Sequence, residues 1–211
     1  MKNVILIGDI NIDVQMQVAG LPAPGGEVLT QGMHLSLGGS ASNAAVVLAK
    51  LGQRSATPHL TAHLLGRVGQ DEWANIALDA LRGCGVEISA VQRDPSTNTS
   101  VLFNAITPDG ERSMFTYRGA NVNTTPAEIP ADLFAHADWL HISGYALLNS
   151  PQREAVWQAV RLAQHHRVPI SLDPALFPAQ HVPEQLLALL PHLALCVLGP
   201  DEAEAAESFE L

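Results

Sequence analysis

A few polar residues, set among glycines, are the ones that could do chemistry in this chain. Asn11 and Asp13 follow the apolar run Val4-Ile5-Leu6-Ile7 and the pair Gly8-Asp9. Two apart in an extended turn, their side chains can face one pocket, because extended backbone repeats every two residues. A carboxylate so placed can accept strong, geometry-sensitive hydrogen bonds from neighbouring hydroxyls. The same two residues can instead bond their own backbone in an Asx turn. Gly38-Gly39-Ser40-Ala41-Ser42-Asn43 reads as a glycine turn delivering an Asn side chain and free amides at a helix start, which suits a polar or anionic ligand. An ordinary loop-to-helix junction has the same composition. Arg118 ends an alternating stretch, where a solvated strand-end arginine is also expected, and Asp201-Glu202-Ala203-Glu204 puts acid at a helix N-terminus, which the macrodipole alone favours.

The elements that must position these residues can be read from periodicity. Val4–Ile7 has the continuous apolar character of a strand buried on both faces. Val14–Val18 and Met33–Leu37 alternate apolar with polar, as strands with one wet face do. Ser40 or Ser42 caps the helix that follows, Ala44, Val47, Leu48 and Leu51 give its apolar positions, and Gly52 closes it. Leu64–Val68 reads as a core strand, Asp71–Leu81 as an amphipathic helix ending at Gly83 or Gly85, and Val101–Ile106 with Glu111–Arg118 as a hairpin around Thr107-Pro108-Asp109-Gly110. From Asp138 the rhythm becomes strand, helix, strand, helix. Trp139–Ile142, Val168–Leu172 and Leu195–Leu198 are the strands. One helix opens at Ser150-Pro151 and runs to about His166, and another spans Glu184–Leu190. Such alternation implies a parallel sheet with helices on both faces. Asp9–Asp13, Ser143-Gly144, Asp173-Pro174 and Gly199-Pro200-Asp201 each follow a strand, so they converge on one sheet edge, where ligands of such folds bind.

Bulk composition narrows the function classes. Hydrophobic content of 47% against 15% charged residues supports a buried core and excludes a disordered chain. A net charge of −10, with Lys2 and Lys50 the sole lysines, argues against nucleic acid as a partner. Cys84 and Cys196 are isolated, as free thiols of a reducing compartment are. The first apolar run is too short for a signal peptide and nothing reaches bilayer length, so a cytoplasmic protein without membrane association is expected. His59 and His63 are four apart, but no Glu or Cys cluster joins them, so zinc is not expected, and no nucleophile elbow, Walker-type loop or Gly-x-Gly-x-x-Gly is present.

Asn11-Ile12-Asp13, Gly38-Gly39-Ser40-Ala41-Ser42-Asn43, Gly66-Arg67-Val68-Gly69-Gln70-Asp71 and Asp201-Glu202-Ala203-Glu204, in this order, resemble the motifs of the ribokinase-like (PfkB-type) carbohydrate kinases. The resemblance covers nearly the whole chain. It implies an α/β three-layer sandwich with a mainly parallel central sheet and a small β-sheet lid at residues 14–37 and 99–119, the C-terminal part of the fold falling beyond Leu211. It implies a substrate site of Asn11, Asp13, Gly38, Gly39 and Asn43, with Arg118 meeting an acid sugar's carboxylate from the lid. It places Asp173, Asp201 and Glu204 at the metal and phosphate groups. ATP and Mg²⁺ are the implied cofactors, with a monovalent cation in prospect. The family's Gly-Ala-Gly-Asp helix start, which carries the general-base Asp, is absent from residues 1–211, so no catalytic residue is assigned and the chain alone is expected to be inactive. The chain departs from the family around Ser55–His59, which looks like an insertion, and at Asp173-Pro174-Ala175-Leu176-Phe177, which lacks the Asn and Arg often found there.

ATP-dependent phosphorylation of a sugar or sugar-acid hydroxyl is therefore the leading expectation. A nucleoside kinase of the same fold would need an aromatic platform, for which Phe103, Phe115 and Tyr117 are the lid's candidates. A non-catalytic sugar-binding or dimerisation module would use the lid and lack a phosphoryl site. A small sugar is the expected partner, with a homodimer formed through the lid, although the same strands read equally as a meander packed on the core's edge.

Overall fold

The computed structural model describes residues 2–54, 60–200 and 202. In chain order the strands and helices are β1 (Lys2–Ile7), β2 (Asn11–Gln17), β3 (Gly32–Gly38), α1 (Ser40–Arg54), β4 (Leu60–Leu65), β5 (Arg67–Val68), α2 (Glu72–Gly83), β6 (Gln92–Arg93), β7 (Ser100–Ile106) and β8 (Arg112–Tyr117). They continue with α3 (Ala131–Phe134), β9 (Trp139–Ser143), α4 (Gln152–His166), β10 (Ile170–Asp173), α5 (Leu176–His181), α6 (Pro183–Leu189) and β11 (Leu195–Cys196). The central sheet is parallel in the order β11-β10-β9-β1-β4. A smaller sheet runs β3-β2-β7-β8, antiparallel except where β2 lies parallel to β7.

Side chains of β1 leave the central sheet alternately, and this divides the core. Ile5 and Ile7 join Leu140, Ile142, Val156 and Val160 under α3, α4 and α6, whereas Leu6 joins Ala45, Ala62, Leu64 and Leu81 under α1 and α2. Helices thus cover both faces of a mainly parallel sheet, giving the expected three layers. Among the described residues no helix is long and apolar enough to cross a membrane.

Several local expectations are corrected. On α1 the buried face is Ala41, Ser42, Ala45, Ala49 and Gly52, and Val47 and Leu51 are exposed. Small residues win that face because α1 lies close against β1 and β4, and a larger side chain has no room there. Gly52 does not end α1, which continues to Arg54. A Cβ on Gly52 would stand 2.7 Å from the Leu60 carbonyl oxygen, so this glycine marks a close helix–strand approach. Nor do the serines cap α1: Ser42 donates to the Asp9 carbonyl at 3.0 Å and Ser40 pairs with Ser143. The expected strand Leu64–Val68 is broken at Gly66, where the chain passes the end of β1 and β5 leaves to pair with β6. At α4, Ser150 bonds Glu154 instead of the helix amides, and Pro151 takes the capping position. The Ser55–His59 segment lies outside the described residues.

The two helical glycines make opposite predictions. Replacing Gly52 by Ala should destabilise the protein by about 1–3 kcal/mol, since overpacking against backbone outweighs the gain in helix propensity. Replacing Gly83, whose added Cβ would meet nothing within 4 Å, should stabilise it by about 0.5–1 kcal/mol. Urea unfolding of the two variants beside the parent checks both signs.

Candidate functional site

The site forms where β1 ends and the chain crosses into the smaller sheet. Asn11 and Asp13 lie in strand β2, not in a turn, and their shared face follows from strand alternation. That face looks into a cavity of about 520 Å³, within the range of small-molecule pockets. Asp9, Asn11, Asp13, Gly39, Ser40, Thr116 and Arg118 form its polar wall, and Leu102, Met114, Tyr145, Leu148 and Phe177 its apolar wall.

Both glycines of the Gly38-Gly39 pair are needed by contact. Gly39 has φ +95°, and a Cβ there would fall 2.2 Å from the Asp9 carbonyl oxygen. Gly38 opposes Asn11 in the β2–β3 register, and a Cβ on it would collide with the Asp13 carboxyl group. The pair therefore lets α1 start against β1 and lets the Asp13 carboxylate settle over bare backbone. That carboxylate accepts no hydrogen bond from any described residue, and its Oδ1 is buried without a partner. Burial raises its pKa above the ordinary 3.8.

Asp9 is treated in the opposite way. Its Oδ1 accepts from Gln152 Nε2 at 2.7 Å and from Arg118 Nη2 at 2.9 Å, and Oδ2 accepts from Arg118 Nη2 at 2.9 Å. Arg118 also donates to Asn149 Oδ1 at 2.6 Å and to the Tyr145 carbonyl at 2.9 Å. With 16% of its side chain exposed, Arg118 is not a solvated strand-end residue. Most of its donors are engaged inside the protein, while the residue also lines the cavity. Asn121, fully buried, accepts from the Ile10 amide at 3.0 Å and donates to Asn11 Oδ1 at 2.8 Å.

Of the residues singled out from sequence, the structure thus brings Asn11, Asp13, Gly39 and Arg118 to one cavity, with Gly38 directly beneath Asp13. Asn43 is exposed one turn into α1 and does not line the cavity. Asp173 ends β10 beside Ser143, at the same sheet edge but outside the cavity wall, and accepts from the Ala175 amide at 3.3 Å. Asp201 and Glu204 lie outside the described residues. Phe103, Phe115 and Tyr117 stand exposed on the other face of the smaller sheet, away from the cavity. The aromatic groups that do reach it, Tyr145 and Phe177, come from the segments after β9 and β10, and their rings are near parallel with centroids 6.5 Å apart. Neither these nor Gln152 and Asn121 carry a local sequence signal for the site, because each owes its place to contacts across the fold.

Residues 1–210 match the model of the pfkB family carbohydrate kinases, and the chain belongs to that family. Fructokinase-2 of Solanum habrochaites is 29% identical over 175 residues, which are 82% of this chain and 50% of that protein. The bifunctional ribokinase/ribose-5-phosphate isomerase A of Fructilactobacillus sanfranciscensis is 28% identical over 207 residues, 98% of this chain and 35% of that one. The fold is that of the fructokinase from Xylella fastidiosa solved with bound ATP, at a TM-score of 0.80 and 21% identity, over 99% of this chain and 64% of that structure. The chain therefore spans at most half the length of these two curated relatives.

Arg118→Ala would leave the Asp9 carboxylate buried without its counter-charge, at a cost of about 3–5 kcal/mol. Arg118→Lys should recover little, because an ammonium cannot reproduce the planar fork. Adding Asp9→Asn to Arg118→Ala should restore part of the loss, and urea unfolding of the three variants reads this order directly.

Proposed function

We propose that this chain forms the sugar-binding part of an ATP-dependent carbohydrate kinase, with a fructose- or ribose-like polyol seated in the cavity beside β2. The observation that carries the reading is Asp13, a half-buried carboxylate with no partner among the described residues, facing a cavity of sugar size next to an Asn amide. Buried polar groups are normally bonded, so a carboxylate with neither oxygen bonded by a described residue, on a side chain that lines a cavity, is well explained by a ligand that bonds it. Adjacent hydroxyls are such a ligand, since one carboxylate can accept from two of them. Leu102, Met114 and Leu148 would then cover the carbon face of the sugar. The smaller sheet would act as the lid, and its exposed outer row of Met33, Leu35, Phe103 and Phe115 would pair two copies of the chain.

ATP and a Mg²⁺ ion belong to the same proposal, the ion held near Asp173, Asp201 and Glu204. Asp173 fits in being an oxygen ligand at the sheet edge with one carboxylate oxygen unbonded by any described residue. When bound, Mg²⁺ would neutralise charge on the transferred phosphoryl group. Transfer itself is proposed to require a general base that residues 1–211 do not supply. Tyr145 and Phe177 favour a second reading, a nucleoside whose base lies against the aromatic wall.

Calorimetric titration with fructose, ribose and adenosine tests the binding assignment, and a coupled assay with ATP tests transfer. Binding of fructose or ribose without turnover is expected; steady turnover by the 211-residue chain would overturn the claim that transfer needs more. Asp13→Asn should weaken sugar binding about tenfold or more while leaving the fold at least as stable at neutral pH. The sign follows from the raised pKa: the folded state disfavours the charged carboxylate, so Asp13 costs stability above its folded pKa, and that cost fades as pH falls towards 3.8. Sugar affinity should move the other way, falling on acidification and beginning to do so above the ordinary carboxylate range. Separately, Phe115→Glu should shift sedimentation from dimer towards monomer; a parent that sediments as a monomer would rule out pairing through the lid.

A further inference from the structure

We propose that Asn121 is the residue that sets which end of the Asn11 amide faces the ligand, and so fixes a donor beside the Asp13 acceptor. The inference rests on the sugar-binding reading of the cavity and adds to it the hydrogen-bond pattern the cavity presents. Three bonds decide the orientation in sequence. The Ile10 backbone amide can only donate, and it reaches Asn121 at 3.0 Å, so the atom it meets must be the Asn121 side-chain oxygen. The Asn121 side-chain nitrogen then points the other way, 2.8 Å from the Asn11 side chain, and 3.4 Å from the Ile10 carbonyl. Because that nitrogen is a donor, Asn11 must offer its oxygen. The Asn11 NH₂ group is left pointing away from Asn121, with no hydrogen bond to any described residue, on a side chain that lines the cavity.

Asn121 is well placed to hold this setting. It is fully buried, and its backbone carbonyl accepts from the Thr124 amide at 3.1 Å and the Thr124 hydroxyl at 2.8 Å. Its backbone amide donates to the Arg118 carbonyl at 3.2 Å, which ties it to the arginine that clamps Asp9. A backbone group therefore orients one side chain, which orients a second, and neither Asn can flip without breaking a bond in a buried place. The cavity consequently shows an NH₂ donor from Asn11 and a carboxylate acceptor from Asp13, two residues apart on one strand face. Two vicinal hydroxyls match this pair: one donates to Asp13 while accepting from Asn11, and its neighbour donates to the same carboxylate. A ligand offering two acceptors, such as a carboxylate or phosphate, does not match, because Asp13 would repel it.

The test separates the orientation from the function. Side-chain amide signals of the unliganded protein, assigned by isotope labelling, should show Asn121 NH₂ protected from solvent exchange and Asn11 NH₂ exchanging freely. A protected Asn11 NH₂ in the parent protein would overturn the proposal without any variant or ligand. In Asn121→Asp the acceptor for Ile10 is kept but the donor is lost, so Asn11 should turn over and its NH₂ become protected; unchanged exchange would again overturn it. Titrated with fructose and ribose, Asn121→Asp should bind about tenfold more weakly or worse. On an Asn11→Ala background the same change should add less than about twofold, because the donor it controls is already gone. Full additivity would mean that Asn121 acts only on stability, and the positioning role would fall. If the parent shows the expected amide pattern but binds neither sugar, the sugar-binding reading fails and the amide orientation stands.

Discussion

The buried ion pair between Asp9 and Arg118 is the constraint on which the remaining geometry depends. Taking both charges out of water is costly, and their attraction offsets that cost only when the remaining hydrogen-bonding capacity is also filled. It is filled from three directions: Gln152 at the start of α4, Asn149 before it, and the Tyr145 carbonyl after β9. Asp9 also receives Ser42 of α1 on its backbone carbonyl, and the same carbonyl lies against the bare Cα of Gly39. One residue at the end of β1 thus joins the central sheet to helices on both of its faces and to the end of β8. If that junction slipped, β2 would leave its position relative to β1, and Asn11 and Asp13 would move with it.

From the junction follows the change of sheet that creates the cavity. The chain leaves the parallel sheet at Ile7 and enters the smaller sheet at Asn11, with Ile10 buried between them. Strand alternation then assigns the faces without further instruction. Ile12 and Val14 turn towards α2 and are buried, while Asn11 and Asp13 turn to the cavity. A one-residue slip in β2 would exchange the two sets, burying a carboxylate in an apolar cluster. The seven-residue pairing of β2 with both β3 and β7 prevents it.

Much of this was legible in the sequence because it depends on local patterns. The parallel strands read as apolar runs, the smaller sheet as alternation, and the Gly38-Gly39 pair as a place where backbone must come close. Asn11 and Asp13 could be assigned a common face from their spacing alone. What could not be read is set by distance along the chain: Asp9 meets Gln152 across 143 positions, and Asn121 meets Ile10 across 111. Arg118 was visible as a charged residue near the site, but its partner Asp9 was not. The burial pattern of α1 misled for a different reason. Hydrophobicity favours Val47 and Leu51 as core positions, yet the space against β4 admits only Ala and Gly, so volume overrode hydropathy.

The carboxylates of this fold divide by how they are satisfied, and the division argues for where function lies. Asp94 is buried, yet Ser96, Thr97 and Asn123 bond it, and those bonds outweigh burial to hold it well below the usual carboxylate range. Burial also acts on Asp71, where bonds from Thr99 and Ala74 prevail and again lower its pKa, as it caps α2 and fastens the residue before β7. In both cases hydrogen bonding makes up for desolvation, and the charge serves the fold. At Asp13 burial meets no opposing bond from the described residues, and the pKa moves up. The fold supplies bare glycine backbone beneath this carboxylate where a hydroxyl or amide would have satisfied it. Stability alone would remove such a group or pair it. A chain that bonds Asp94 and Asp71 so fully, and leaves Asp13 without a partner among the described residues on a side chain that lines a cavity, supports the proposal that this carboxylate's partner is a ligand.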